Sequence, residues 1–319
     1  MKIPNFLKHM VTMGYTNLKM IFLVVILLFI YSCSTIDKAV PSSASTTILS
    51  SFEVVSNLNL EITETSGLET YNGHLLTHND SDAKPVIYFL DTNGIIKSQI
   101  EYREMTNIDW EDIAISDTDL YIADIGNNYG DRKDLKIYKI PISEIQNPAV
   151  QPEILALEYD GQQSFTRQNQ RHSFDGEAIV YAKDRLLLFS KDWINFNTDV
   201  YAIEPIKEKQ NVTSLQNLDV NGLVTGATFN GSNRVVLCGY NSSLNPFIAI
   251  LKLENGTLQI VQRITLPVKN GAQIEAITYF ETIGNDEVYY LSSEAVNLKL
   301  GEDEAKTNGQ LYKMTLKIE

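Results

Sequence analysis

Four glutamates recur in similar surroundings: Glu69 in "SGLETYN", Glu111 in "DWEDIAI", Glu177 in "DGEAIVY" and Glu275 in "QIEAITY". Between the last two, "TGATFNG" repeats the shape with Ala227 in the glutamate's place. Each copy opens an apolar run, although charged residues are depleted in strands. A little further on, a second apolar run ends in polar residues: "LLTHND", "LYIADI", "LLLFSK", "VVLCGY" and "YYLSSE". Alignment of their cores places Asn79, Asp124, Ser190, Gly239 and Ser293 at one equivalent position.

Carboxylates drawn to one axis repel one another, by roughly 4 kcal/mol per pair about 4 Å apart at an effective dielectric of 20. A bound cation, proton sharing, or hydrogen bonds from amides and basic side chains can relieve this. Glu69, Asn79, Glu111, Asp124, Glu177 and Glu275 form a candidate metal set of hard oxygen donors. Calcium takes six to eight such ligands, whereas zinc and copper favour nitrogen and sulfur. Two other readings stand beside it. Each glutamate can stitch one repeat to the next through backbone amides, or it can touch a substrate directly.

The elements that must position these residues are short strands. No stretch beyond residue 50 keeps a 3.6-residue apolar period for long, while runs such as "VIYFL", "DLYIA", "RVVLC" and "FIAILKL" recur. Asn-Gly, the strongest short-range hairpin signal, occurs at 72–73, 93–94, 221–222, 230–231, 255–256, 270–271 and 308–309. Repeats of 40 to 50 residues with about four strands each are the signature of propeller blades. The expected fold is an all-β propeller of five blades over residues 51–319, with six as the alternative and a β-sandwich as the runner-up architecture. The interval from Glu111 to Glu177 is long; it holds a fourth strand, "EILALEY", and an inserted loop, "DGQQSFTRQNQRHS". "SFEVVSNLNLEI", residues 51–62, is expected to close the ring against the last blade. In a propeller the start of each inner strand and the end of its neighbour meet at one rim, so both polar sets should share one channel mouth. Asp109 and Asp175, two residues before ring glutamates, should point the same way.

His78, Glu177 and Lys191 are candidate catalytic residues. His78 ends a channel strand and can serve as base, ligand or plain hydrogen-bonding group; His74 reads as packing, and His172 lies in the inserted loop. Lys191 and Arg132 can meet an anionic ligand or neutralise the ring. "DIGNNYGDRKD" lacks the spacing of a calcium loop and reads as a wide turn. No Gly-x-Ser-x-Gly, His-Glu-x-x-His, P-loop or dinucleotide fingerprint occurs, so neither a serine hydrolase nor a nucleotide-dependent enzyme is supported.

Residues 1–32 read as a lipoprotein signal peptide: three lysines and no acid precede the apolar run "MIFLVVILLFIY", which ends in "IYSCS". This segment resembles the bacterial lipobox, which implies cleavage before Cys33 and acylation of that residue. Residues 33–50 are small, polar and proline-bearing, the composition of a flexible tether. The expected location is the cell envelope, lipid-anchored to a membrane and extracytoplasmic. Loss of the leader moves the formal charge from −14 to −17, which repels nucleic acid and suits cations or basic partners. Cys238, in "RVVLCGY", then has no disulfide partner and reads as a buried small hydrophobe. The chain is expected to be monomeric, with an envelope protein or a small molecule as its ligand.

"HND" (78–80), "DWEDIA" (109–114), "ADIGNNYGDR" (123–132) and "DGEAIVY" (175–181) resemble a bacterial family of secreted propellers. That family is similar to the esterase-like phytase and SMP-30/gluconolactonase-type propellers. The resemblance implies calcium at the channel mouth, held by carboxylate and asparagine side chains. It implies either ligand binding there or calcium-dependent hydrolysis of lactone, ester or phosphoester bonds. A non-catalytic scaffold for envelope proteins is the third function consistent with the repeats.

Overall fold

The computed structural model describes residues 47–268, 273–300 and 303–319, so the leader, Cys33 and most of the tether lie outside the described residues. Strand β1 (Thr47–Asn57) is followed by a first blade of β2 (Thr65–Tyr71), β3 (His74–Asn79), β4 (Val86–Leu90) and β5 (Ile96–Glu101). The second blade holds β6 (Trp110–Ile115), β7 (Asp119–Asp124), β8 (Lys136–Pro141) and β9 (Glu153–Tyr159). The third is built from β10 (Asp175–Ala182), β11 (Arg185–Lys191) and β12 (Thr198–Ile203), then β14 (Ser214–Leu218). Between these last two, β13 (Lys209–Val212) crosses over and pairs in parallel with β9 of the second blade. The fourth blade is β15 (Leu223–Phe229), β16 (Arg234–Tyr240), β17 (Pro246–Glu254) and β18 (Thr257–Thr265). The fifth is β19 (Ile274–Ile283), β20 (Asp286–Ser293) and β23 (Gln310–Ile318), with a hairpin of β21 (Val296–Leu300) and β22 (Asp303–Thr307) between its last two strands.

The fold is therefore the five-bladed propeller expected, not the six-bladed alternative. Closure occurs as anticipated: β1 pairs antiparallel with β23 as the outer strand of the last blade. This covers an edge that would otherwise offer unpaired amides to another chain. The closing strand begins earlier than the sequence suggested, at Thr47 instead of Ser51. Asn72-Gly73 and Asn255-Gly256 adopt positive φ at both positions, as a type I′ turn requires.

Five apolar clusters hold the ring, one between each pair of successive blades. Leu76, Ile87, Trp110 and Ile122 join the first to the second. Ile137, Tyr159, Leu188 and Tyr201 join the second to the third. Val180, Phe189, Leu237 and Phe247 link the third to the fourth, and Ile248, Ile274, Tyr289 and Met314 link the fourth to the fifth. Leu68, Leu75, Ala276 and Val288 complete the circle between fifth and first. The side chains that line the channel are therefore fixed from behind by packed β-sheet. Cys238 is free and buried among these apolar groups, as read from the sequence.

All five inner strands carry a β-bulge near the mouth. Its extra residue is Gly67 in the first blade, then Glu111, Glu177, Thr225 and Glu275. A bulge inserts one unpaired residue and re-aims its side chain. This register corrects two alignments made from the sequence. In the first blade glycine, not Glu69, holds the bulge, and in the fourth the position belongs to Thr225, not Ala227. The opposing residues are His78, Asp124, Ser190, Gly239 and Ser293, so His78, not Asn79, is the first blade's member of that set.

Candidate functional site

The acidic residues of the inner strands and mouth divide into three groups. Glu69 and Asp112 act as stitches. Asp112 accepts from its neighbour Ile113 N (2.8 Å) and from Ile179 N of the third blade (2.9 Å), and also from Ala227 N of the fourth. Glu69 accepts from Thr70 N (2.8 Å) and from Thr278 Oγ1 of the fifth blade (3.2 Å). The stitching alternative thus holds for Glu69, which is not among the carboxylates grouped at the mouth.

A second group is neutralised by basic side chains. Asp124 is fully buried and paired with Arg132 (2.8 Å) and Lys136 (3.0 Å), so it is held by its own blade. Glu177 lies 2.7 Å from the ammonium of Lys191, and both are buried. Asp175 accepts from Asn127 N (2.6 Å) and Trp193 Nε1 (2.7 Å), which ties the loops after β7 and β11 to the inner strand. Arg132 and Lys191 are accordingly ring-neutralising charges. Asn79 is committed to the rim: its amide accepts from Glu64 N (3.2 Å) and donates to Glu61 O (2.8 Å). Its Oδ1 is thus turned toward Glu64 N, and Asn79 lies outside the metal-sized cluster described next.

The third group is the convergence that matters. Asp80, Asp109 and Glu111 each offer a carboxylate oxygen, and these oxygens lie within 4.8 Å of one another, close enough to hold a metal ion. Glu111 comes from the bulge of β6, Asp109 from the residue that enters that strand, and Asp80 from the end of β3 in the first blade. Asn107 fixes the joint, since its amide donates to Asn79 O (2.9 Å) and Asp80 O (2.8 Å). Gly126 admits the carboxylates: a Cβ there would meet Glu111 Oε1 and Asp109 Oδ2 within van der Waals radii. Asp80 was missed in the sequence because it lies just beyond the strand, outside the aligned repeat positions. The signal was present in "HND".

Burial and mutual repulsion push these carboxyls above their ordinary range. Asp80 is pushed well above the carboxylate range, first by desolvation and then by Asp109 and Glu294. Burial raises Glu111 well above that range too, with Glu177, Asp80 and Asp109 adding to it. Asp109 rises to about 7 by burial and the nearby Asp175, and Glu275 to about 7 by burial. Glu294 reaches about 8 by burial and the charge of Glu275. Lys191 is raised as well, which for a base keeps the charge: burial disfavours its charged form, but Glu177, Tyr240, Asp175 and Glu275 outweigh that. His78 is buried, its Nδ1 lies 3.0 Å from Asn79 O, and desolvation lowers it to about 4, so it is neutral.

No protein-family model and no curated protein sequence matches the chain. Among solved structures it is similar to the PQQ-bound aldose sugar dehydrogenase of Streptomyces coelicolor, with a TM-score of 0.47 and 11% identity over 86% of this chain and 99% of that one. It is also similar to a putative oxidoreductase of Thermus thermophilus named for glucose dehydrogenase, with a TM-score of 0.43 and 9% identity over 83% and 99%. At that distance the likeness concerns the fold alone. What the fold and the site define together is a five-bladed propeller with an acidic mouth able to hold a cation.

Protonation should therefore stabilise the metal-free protein. Glu69, Asp109 and Glu275 at about 7 and Glu294 at about 8 titrate higher folded than unfolded. The folded chain holds extra protons from roughly pH 4 to pH 8, so stability falls as pH rises through that window. His78 opposes this only below about pH 6.5. Calorimetry of chelator-treated protein should give a higher melting temperature at pH 6 than at pH 8, and the reverse order would contradict the assignment.

Proposed function

We propose that the protein is a membrane-anchored, extracytoplasmic propeller that binds its ligand at the acidic mouth through a divalent cation, calcium by preference. The observation that carries this is the meeting of Asp80, Asp109 and Glu111 from two blades. Oxygens bound at 2.3–2.6 Å to one calcium ion are spaced by a few ångströms. Three hard carboxylates at such spacing suit calcium better than zinc or copper. The basic side chains at the mouth are engaged elsewhere, Lys191 by Glu177 and Arg132 by Asp124 and Asp134. The motif resemblance to SMP-30-type and phytase-like propellers supports the same reading. Here the ligands would be Asp80, Asp109 and Glu111 in place of the asparagine-containing set expected.

A second reading, calcium-dependent hydrolysis, would need a general base at the same mouth. Glu275, outside the triad, is poised at about 7, where a general base is most effective at neutral pH. The bound ion would supply Lewis-acid polarisation of a carbonyl or phosphoryl oxygen. His78, neutral and buried, is the remaining candidate base.

The anchor belongs to this proposal: the apolar leader and Cys33 would tether the ring to the envelope. Cys33→Ala should release the protein from membranes into the soluble fraction, and unchanged retention would contradict the tether. The metal reading is tested by a melt. At pH 7.5, calcium at a hundred times its Kd should stabilise wild type by about 2.7 kcal/mol. Glu111→Gln or Asp109→Asn should abolish that increment. An identical calcium response in both variants would remove the triad as the site.

A further inference from the structure

The register of the fifth blade fixes where the chain enters the ring. Ser293, Gln310 and Asn57 form a row at the mouth, and Asp286, Lys317 and Ile48 form the row at the opposite end. β1 therefore runs toward the mouth, and Thr47, its first residue, lies at the end farthest from it. That entry point is held by β18 of the fourth blade. Thr47 N donates to Gln262 Oε1 (3.0 Å), and Gln262 Nε2 donates back to Thr47 O (2.8 Å). Residues 33–46 separate Cys33 from Thr47. A flexible chain of that length has a root-mean-square span of about 20 Å and a limit of about 50 Å.

We infer that the ring sits with its mouth turned away from the anchoring membrane, so that the ligand is taken from the aqueous side and not from the lipid. The inference rests on the anchor at Cys33 proposed above. Two effects favour it. With the far end toward the bilayer, the tether keeps its relaxed span. With the mouth toward the bilayer, the tether must first pass along the outer wall, roughly 20 Å for inner strands of six or seven residues. That distance consumes its whole relaxed span before any lipid is reached. Charge acts in the same direction. Asp80, Asp109 and Glu111 gather at the mouth of a chain that is acidic overall, and anionic headgroups repel such a surface.

Energy transfer to acceptor-labelled headgroups tests this on the full acylated chain, in vesicles of phosphatidylcholine and phosphatidylglycerol with calcium present. Ser232 and Ser242 are exposed at opposite ends of β16, the first at the far end and the second at the mouth. Cys238 is buried, so a thiol-reactive donor spares it. A donor on Ser232→Cys should transfer several-fold faster than one on Ser242→Cys. Asp117→Cys, in the far turn of the second blade, and Ile194→Cys, at the mouth of the third, should give the same order. This second pair decides the question if either serine variant fails to fold. Equal or faster transfer from the mouth positions would overturn the inference while leaving the anchor intact. Transfer that follows the blade and not the end would overturn it too, since the ring would then lie on its side. Protein that does not sediment with the vesicles would instead remove the anchor on which the inference stands.

Discussion

The structure turns on a crowding of negative charge around a narrow axis. All five inner strands are bulged at the same level, three of them deliver carboxylates to one mouth, and the sheets behind are too well packed to let these spread. Buried acids must be bonded, paired or neutralised. This protein uses all three remedies in different places. Asp112 and Glu69 are bonded by amides and hydroxyls across blades. Asp124 and Glu177 are paired with Arg132, Lys136 and Lys191. Asp80, Asp109 and Glu111 are brought together without a basic partner of their own, and they alone form a metal-sized cluster among the described residues.

That division explains why one motif serves two purposes. The stitches of Asp112 run from the second blade to the third and fourth, and those of Glu69 from the first to the fifth. Together they bind all five blades from the inside, where the apolar clusters cannot reach. Such hydrogen bonds to a carboxylate are among the stronger polar contacts a fold can make. The mouth acids sit on this framework at fixed separation. Their repulsion is therefore maintained by the fold, and it favours any cation that can replace the protons.

The architecture was legible in the sequence because it depends on repetition. Alternating runs, Asn-Gly turns and a recurring acid were enough to reach five blades, closure by the first strand and the inserted loop before β10. The mouth was less legible, and the bulge is the reason. One unpaired residue per inner strand shifts side chains relative to a linear alignment, so Glu69 looked equivalent to Glu111 although Gly67 holds that place. The same slip put Asn79 in the ring in place of His78, and Asp80, just beyond the strand, has no counterpart in the repeat. Asp109 was readable, being two residues from Glu111 on the same side. The pairing of Lys191 with Glu177 was open to inference only as one of two roles, because the hairpin register that brings them together is not written in residue types.

The proposed site is a single cation position formed by Asp80, Asp109 and Glu111. Crystals soaked in manganese, with anomalous scattering measured at its absorption edge, test it most directly. One strong peak is predicted within bonding distance of oxygens from all three side chains. A peak bound elsewhere on the chain, or no peak at saturating metal, would contradict it.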